Sequence, residues 1–158
     1  MAGAMLTRRL GPGDERIALD MFVTMARVFE EDGESTELIP LDEVYARRLL
    51  ARTDFFAVVA IDADVVVGGV TAHALPMTRS QETELFIYDL AVVAQKRRLG
   101  LGRALITELL SLAAAAGIQT SFVPADDEDV EALEFYRALG GEASPVTFFT
   151  FSRAVTKS

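Results

Sequence analysis

The sequence predicts one α/β (α+β) domain, residues 1–158, with a mixed central sheet flanked by helices. Three observations predict it. Hydrophobic spacing switches repeatedly between the helical and the strand period, the connections between periodic stretches are short, and no linker, repeat or low-complexity tract interrupts them. With 158 residues, 51% of them hydrophobic and 25% charged, the chain is also long enough to bury a core of its own.

Met5 to Leu10 reads as a first strand, ended by the Gly11-Pro12-Gly13 turn. From Asp14 to about Glu30, Ile17, Met21, Met25 and Val28 recur at helical spacing and read as core, with Asp14 and Glu15 at the positive end of the helix dipole. After an acidic loop, Pro40 to Arg52 predicts a second helix with Leu41, Val44, Tyr45 and Leu49 on one face. The period then changes: Phe55 to Ile61 and Val65 to Leu75 are β-branched and aromatic runs joined by Asp62-Ala63-Asp64, a hairpin signal. Glu84 to Val93 predicts a central strand. Gly100 to Ala116 is the longest helix, stopped by Gly117. Gln119 to Pro124 predicts a strand, Glu128 to Leu139 a helix and Thr147 to Arg153 a last strand, giving the order β-α-α-β-β-β-α-β-α-β.

Composition excludes several kinds of chemistry. There is no cysteine, which removes disulfides, thiolate metal sites and thiol nucleophiles, and the single histidine, His73, makes a histidine metal site improbable; no metal is expected. His73 itself, on an apolar strand, reads as packed or exposed. No apolar run is long enough to span a bilayer and the start lacks the order of a signal peptide, so a cytoplasmic protein without a membrane partner is expected.

The net charge of −9 is unevenly spread. Glu30 to Glu43 holds seven acids and Asp126 to Glu134 six, with no base in either segment. Charge this dense faces water or a cation. The basic run Lys96–Arg98 is far too small a footprint for nucleic acid as the main ligand.

The junction after the ELFIYDLAVV strand is the most informative stretch. Arg97-Arg98-Leu99-Gly100-Leu101-Gly102-Arg103-Ala104 leads into the long helix. Glycines let backbone approach a ligand closely, and the free N–H groups of a first helical turn favour an anion. The spacing is neither a Walker loop nor a dinucleotide fingerprint, but it matches [Gln/Arg]-x-x-Gly-x-[Gly/Ala] at Arg97, Gly100 and Gly102. The plain alternative is a glycine turn with a basic helix start.

On these residues the sequence resembles the GNAT superfamily of acetyl-CoA-dependent N-acetyltransferases, whose pyrophosphate motif occupies this strand–loop–helix junction. Ile87-Tyr88-Asp89-Leu90-Ala91-Val92, Ala125-Asp126 and Leu133 to Gly140 are more particular and resemble the type I aminoglycoside 3-N-acetyltransferases, the gentamicin acetyltransferases. The likeness runs from Arg9 to about Phe151. Pro124, Asp127 and Glu128 depart from it, standing where the group has Gln and then Tyr-Gly. The resemblance implies acetyl-CoA bound by Leu90, Ala91, Val92, Arg97, Arg98, Leu99, Gly100, Leu101, Gly102, Arg103 and Ala104, an aminoglycoside acceptor, and a homodimer.

An ammonium cannot attack a thioester until it loses a proton, so an acetyltransferase must bind the cation and deprotonate it. Asp89, an isolated carboxylate in an apolar strand, is the candidate anchor and base, with Tyr88 beside it. A carboxylate satisfied by a backbone N–H or an arginine is the structural alternative. By the resemblance, a main-chain N–H within Leu90 to Val93 meets the oxyanion and Tyr136 is the general acid for the leaving thiolate; a helical tyrosine beside Phe135 is otherwise simply core. Glu30, Asp32, Asp126 and Asp129 are the acids expected to meet the cationic acceptor, the last two because they match acids of the group. Acetylation of another polycation, a polyamine or a lysine side chain, needs the same acids and base. A non-catalytic acyl-CoA-binding module would have no use for Asp89.

Overall fold

A computed structural model describes residues 5–34 and 40–153. The chain forms two compact units, Met1–Pro124 and Ala125–Ser158. The first contains a five-stranded mixed sheet of order β1-β2-β3-β4-β5: β1 (Met5–Arg9), β2 (Phe55–Asp62), β3 (Val65–Pro76), β4 (Thr83–Val92) and β5 (Thr120–Phe122). The first four strands pair antiparallel and β5 lies parallel to β4. The expected hairpin is present: Ala63 and Asp64 take φ of 48° and 65°, the positive pair that a two-residue turn between twisted strands requires.

Helices α1 (Glu15–Glu31) and α2 (Glu43–Leu50) cover one face, and α3 (Leu101–Ala115) the other. Strand alternation divides the core accordingly. Phe55, Ala57 and Val59 cluster with Ala18, Met21, Met25 and Val28 of α1, while Phe56, Val58 and Ala60 point the opposite way. Met21 packs so closely on Gly69 of β3 that a Cβ there would overlap the thioether, which explains glycine at that position. Asp42, rather than Pro40, starts α2, accepting the Tyr45 amide at 2.9 Å.

The second unit holds α4 (Val130–Ala138), shorter than the expected 128–139 because Asp129 caps it, accepting the Ala132 amide at 3.1 Å. The last expected strand, Thr147–Arg153, is not formed. Its aromatic residues have high strand propensity, but a strand exists only by pairing, and no described residue supplies a ladder partner. Phe148, Phe149 and Phe151 are instead 68%, 79% and 96% exposed. Among the described residues no helix is long and apolar enough to cross a membrane.

Candidate active site

The site is organised by an irregularity in β4. Asp89 stands opposite Thr71 and Ile87 opposite Ala72, so Tyr88 is an extra residue, a β-bulge. Strict alternation would aim Tyr88 and Asp89 at opposite faces. The bulge lets both face α1 and α2, where they line one pocket of about 330 Å³. Its other walls are Phe22, Met25, Ala26 and Phe29 of α1, Leu41, Tyr45 and Leu49 at α2, and Phe55, Thr71 and His73 of the sheet.

The bulge also coincides with the end of the β4–β5 pairing. β5 accompanies β4 only over Glu84–Phe86. From Ile87 to Val92, therefore, β3 lies along one edge and no described strand along the other. Leu90, Ala91 and Val92 sit on this open stretch, one residue beyond Asp89.

The side chain of Asp89 is half-buried and makes no hydrogen bond or ion pair with any described residue. Burial, and next the Glu34 carboxylate, push its carboxyl above the ordinary aspartate value, while His73 pulls the other way. The satisfied-carboxylate alternative therefore has no partner here to support it. Among the described residues Asp89 is the one acid lining the pocket; Glu30 is exposed on the last turn of α1 and does not line it.

Beyond β4 a short 3-10 turn, Ala94–Lys96, leads to the glycine loop. Gly100 is the N-cap of α3, in the left-handed region at φ 81°, with no side-chain cap on the helix. The first amide that the helix bonds itself is that of Ala104, to the Gly100 carbonyl at 3.0 Å. The first turn, at Leu101 and Gly102, thus presents main-chain donors at the positive end of the helix dipole. Leu101 is buried beneath it, Leu99 is exposed, and Arg98 holds a left-handed φ of 64°.

Lys96 and Arg97 of this loop are engaged with acids outside it. Lys96 pairs with Asp62 at 2.7 Å, and Arg97 donates to Asp32 at 2.9 Å and to the Val92 carbonyl at 3.1 Å. Asp32, expected to meet the acceptor, accordingly holds the glycine loop. In the second unit, Asp129 caps α4 and burial, then Asp129, push the Tyr136 phenol above the ordinary tyrosine value. The ring of Phe135 meets that of Tyr136 at 5.1 Å. A second cavity of about 470 Å³ at the end of α3 is lined by Leu110, Ala114, Gly117, Ile118, Gln119 and Ser121, none of them ionisable at neutral pH.

The model of the GNAT acetyltransferase family matches residues 20–140. The chain belongs to the GNAT acetyltransferase family. The matched segment runs from α1 to the end of α4, through both the Tyr88-Asp89 pocket and the glycine loop. GNAT acetyltransferases use acetyl-CoA, and the uncapped α3 terminus and open β4 edge fit an anionic, extended co-substrate. Two solved structures from uncultured soil metagenomic samples are similar over nearly the whole chain. One is the aminoglycoside acetyltransferase HMB0005, at 31% identity, TM-score 0.85, covering 96% of this chain and 99% of that one. The other is the aminoglycoside acetyltransferase meta-AAC0020 in complex with sisomicin, at 30% identity, TM-score 0.81, covering 94% and 97%. The aminoglycoside N-acetyltransferase AAC(6′)-Iy in complex with CoA shares the fold at 14% identity and TM-score 0.75, covering 98% of each chain. No curated protein matches the chain.

Sequence reasoning missed the aromatic walls of this GNAT pocket and, above all, His73. Thr71 and His73 are two apart in an otherwise apolar strand, a spacing that puts both side chains on one face. That signal was present in VVVGGVTAHAL.

Proposed function

We propose that this GNAT protein transfers the acetyl group of acetyl-CoA to the 3-amino group of an aminoglycoside, in the cytoplasm, and so confers resistance to the drug. The reading rests on Asp89, a carboxylate without a described partner, held with Tyr88 in a pocket at the open edge of β4. The 30–31% identity to two aminoglycoside acetyltransferases, one holding sisomicin, supports the acceptor class.

Acetyl-CoA supplies the activated thioester. Its pyrophosphate is bound by main-chain donors at Gly100–Gly102, within the Leu90–Ala104 junction, and by Arg98 and Arg103, and the open edge at Leu90–Val92 holds the remainder. Asp89 anchors the acceptor's ammonium and takes its proton, directly or through one water, and its raised affinity for protons makes it a stronger base than an ordinary aspartate. The freed amine lone pair attacks the thioester carbon, and a main-chain N–H within Leu90–Val93 stabilises the oxyanion. As the intermediate collapses, the attacking nitrogen gives up its second proton to water, the C–S bond breaks, and the phenol of Tyr136 protonates the thiolate and recovers its proton from solvent. Asp126 and Asp129 attract further ammonium groups of the acceptor, and the protein acts as a homodimer.

The test is thiol release from acetyl-CoA with gentamicin, sisomicin, kanamycin, spermidine and a lysine peptide, followed by NMR of the product to locate the acetyl group. Turnover of gentamicin with acetylation at the 3-amino group is expected. Turnover confined to spermidine or the peptide, or acetyl found at another amine, overturns the assignment.

A further inference from the structure

His73, the one histidine in the sequence, lines the same pocket as Asp89. Its ring lies 5.3 Å from that of Phe55 on β2 and 5.8 Å, edge to face, from that of Tyr88 on β4. The run continues from Tyr88 to Phe86 at 5.5 Å and from Phe86 to Phe122 at 5.1 Å. Rings from β2, β3, β4 and β5 thus cover one face of the sheet, and His73 is the member that can carry a positive charge.

The imidazole has no hydrogen bond or ion pair with any described residue. Among the described residues the charged groups around it are few. β4 presents Asp89 and Tyr88; ahead of β2 stands Asp54, already held by Arg52 at 2.9 Å; past the end of α1 is Glu34. α1 offers only Phe22, Met25, Ala26 and Phe29, and α2 the phenol of Tyr45. An imidazolium here would therefore face the carboxylate that the acceptor's ammonium needs.

We propose that His73 is an acceptor-binding residue that sets the charge of this pocket: neutral, it is part of the aromatic wall against which the acceptor's body rests beside Asp89; protonated, it is a competing cation that turns the acceptor away. The inference rests on the reading that an ammonium binds at Asp89. Neutral rings attract that ammonium and pack against the carbon skeleton next to it. The protonated ring repels it, and by linkage a bound cation must equally resist protonation of the ring.

A lone histidine gives one imidazole C2–H resonance, so untagged protein allows the test without assignment. The resonance is followed from pH 5 to 8.5 in wild type, with and without saturating sisomicin, and in Asp89→Asn. Sisomicin is expected to move the titration curve to lower pH by about half a unit, equivalent to about three-fold weaker binding to the imidazolium form. Asp89→Asn, which removes the facing carboxylate, is expected to move it the same way. His73→Phe should keep sisomicin affinity at pH 8 within about two-fold, and His73→Ala should weaken it several-fold, with acetyl-CoA affinity unchanged in both. A curve unmoved in Asp89→Asn, or unmoved by bound sisomicin, overturns the role of His73. Absence of any sisomicin binding to wild type at pH 8, read by calorimetry, overturns the aminoglycoside reading instead and removes the basis of this one.

Discussion

Arg97 and Asp32 join the two charged regions that stand furthest apart in chemical character. One guanidinium nitrogen lies 2.9 and 3.2 Å from the two carboxylate oxygens, while Nε donates to the Val92 carbonyl. The loop after α1 is thereby fastened to the loop before α3. Both side chains remain 40–50% exposed, so the pair contributes at most about 1 kcal/mol to stability. Asp32→Ala should thus leave the fold intact, release positive charge next to the glycine loop and lower the KM for acetyl-CoA by up to about three-fold. A several-fold rise measured at low salt would show that the pair holds the loop in its binding form.

Gly100 has open space where a Cβ would stand, so its requirement is conformational. A non-glycine residue at its φ of 81° costs roughly 1–2 kcal/mol, which a domain of this size tolerates. Gly100→Asp should therefore fold, yet bind acetyl-CoA at least about ten-fold more weakly, because a carboxylate stands where an anion is to be held. Isothermal titration checks this, and wild-type affinity in the folded variant would move the anion site elsewhere.

Asp89→Asn keeps the size of the side chain and removes its charge and basicity. Turnover with an acceptor amine should fall by about 10²-fold or more, with acetyl-CoA affinity nearly unchanged. Equal turnover across the pH range would make Asp89 a structural residue.

The proton affinity of Asp89 gives the acid limb of the pH profile. Burial and Glu34 raise its pKa, so the protonated, inactive form persists to higher pH than for an ordinary aspartate. Acceptor kcat/KM should accordingly fall as pH drops through that raised value and be fully present above it. Glu34→Gln removes the second-largest cause, so its acid limb should lie at lower pH than that of the wild type. A limb shifted upward would contradict the sign of this coupling.

Asp129 caps α4 and, in the proposed reading, also attracts the acceptor, and one substitution separates the two. Asn is as good an N-cap as Asp, so Asp129→Asn should change stability by no more than about 0.5 kcal/mol while removing a charge. Combined with Asp126→Asn, it should raise the acceptor KM several-fold at low salt and much less at high salt, with turnover little affected. A double variant that matches wild type at both salt concentrations would make this cluster a solvated surface.

Local rules decided much of this protein, and they could be read from the sequence because each depends on neighbours along the chain. Ala63-Asp64 forms a two-residue turn, Gly117 ends α3 at φ 82° with Ile118 bonded back to Ala113, and Gly100 opens it. Asp89, an isolated carboxylate in an apolar strand, and the glycine loop are legible from residue type and order, whereas Tyr88 comes from the resemblance to a known group.

Tertiary structure decided everything that depends on which strands pair, and where the pairing breaks. The bulge at Tyr88 exists because Thr71 and Ala72 oppose Asp89 and Ile87, a register that neither strand carries within itself, and it alone turns Tyr88 onto the same face as Asp89. The same register places His73 beside Tyr88 and turns a lone imidazole that reads as packing into a pocket wall. Asp32 and Arg97, 65 residues apart, meet only once α1 has packed on the sheet. Thr147–Arg153 has the composition of a strand and no described partner, since propensity lies in the residue whereas a β-ladder lies between two segments.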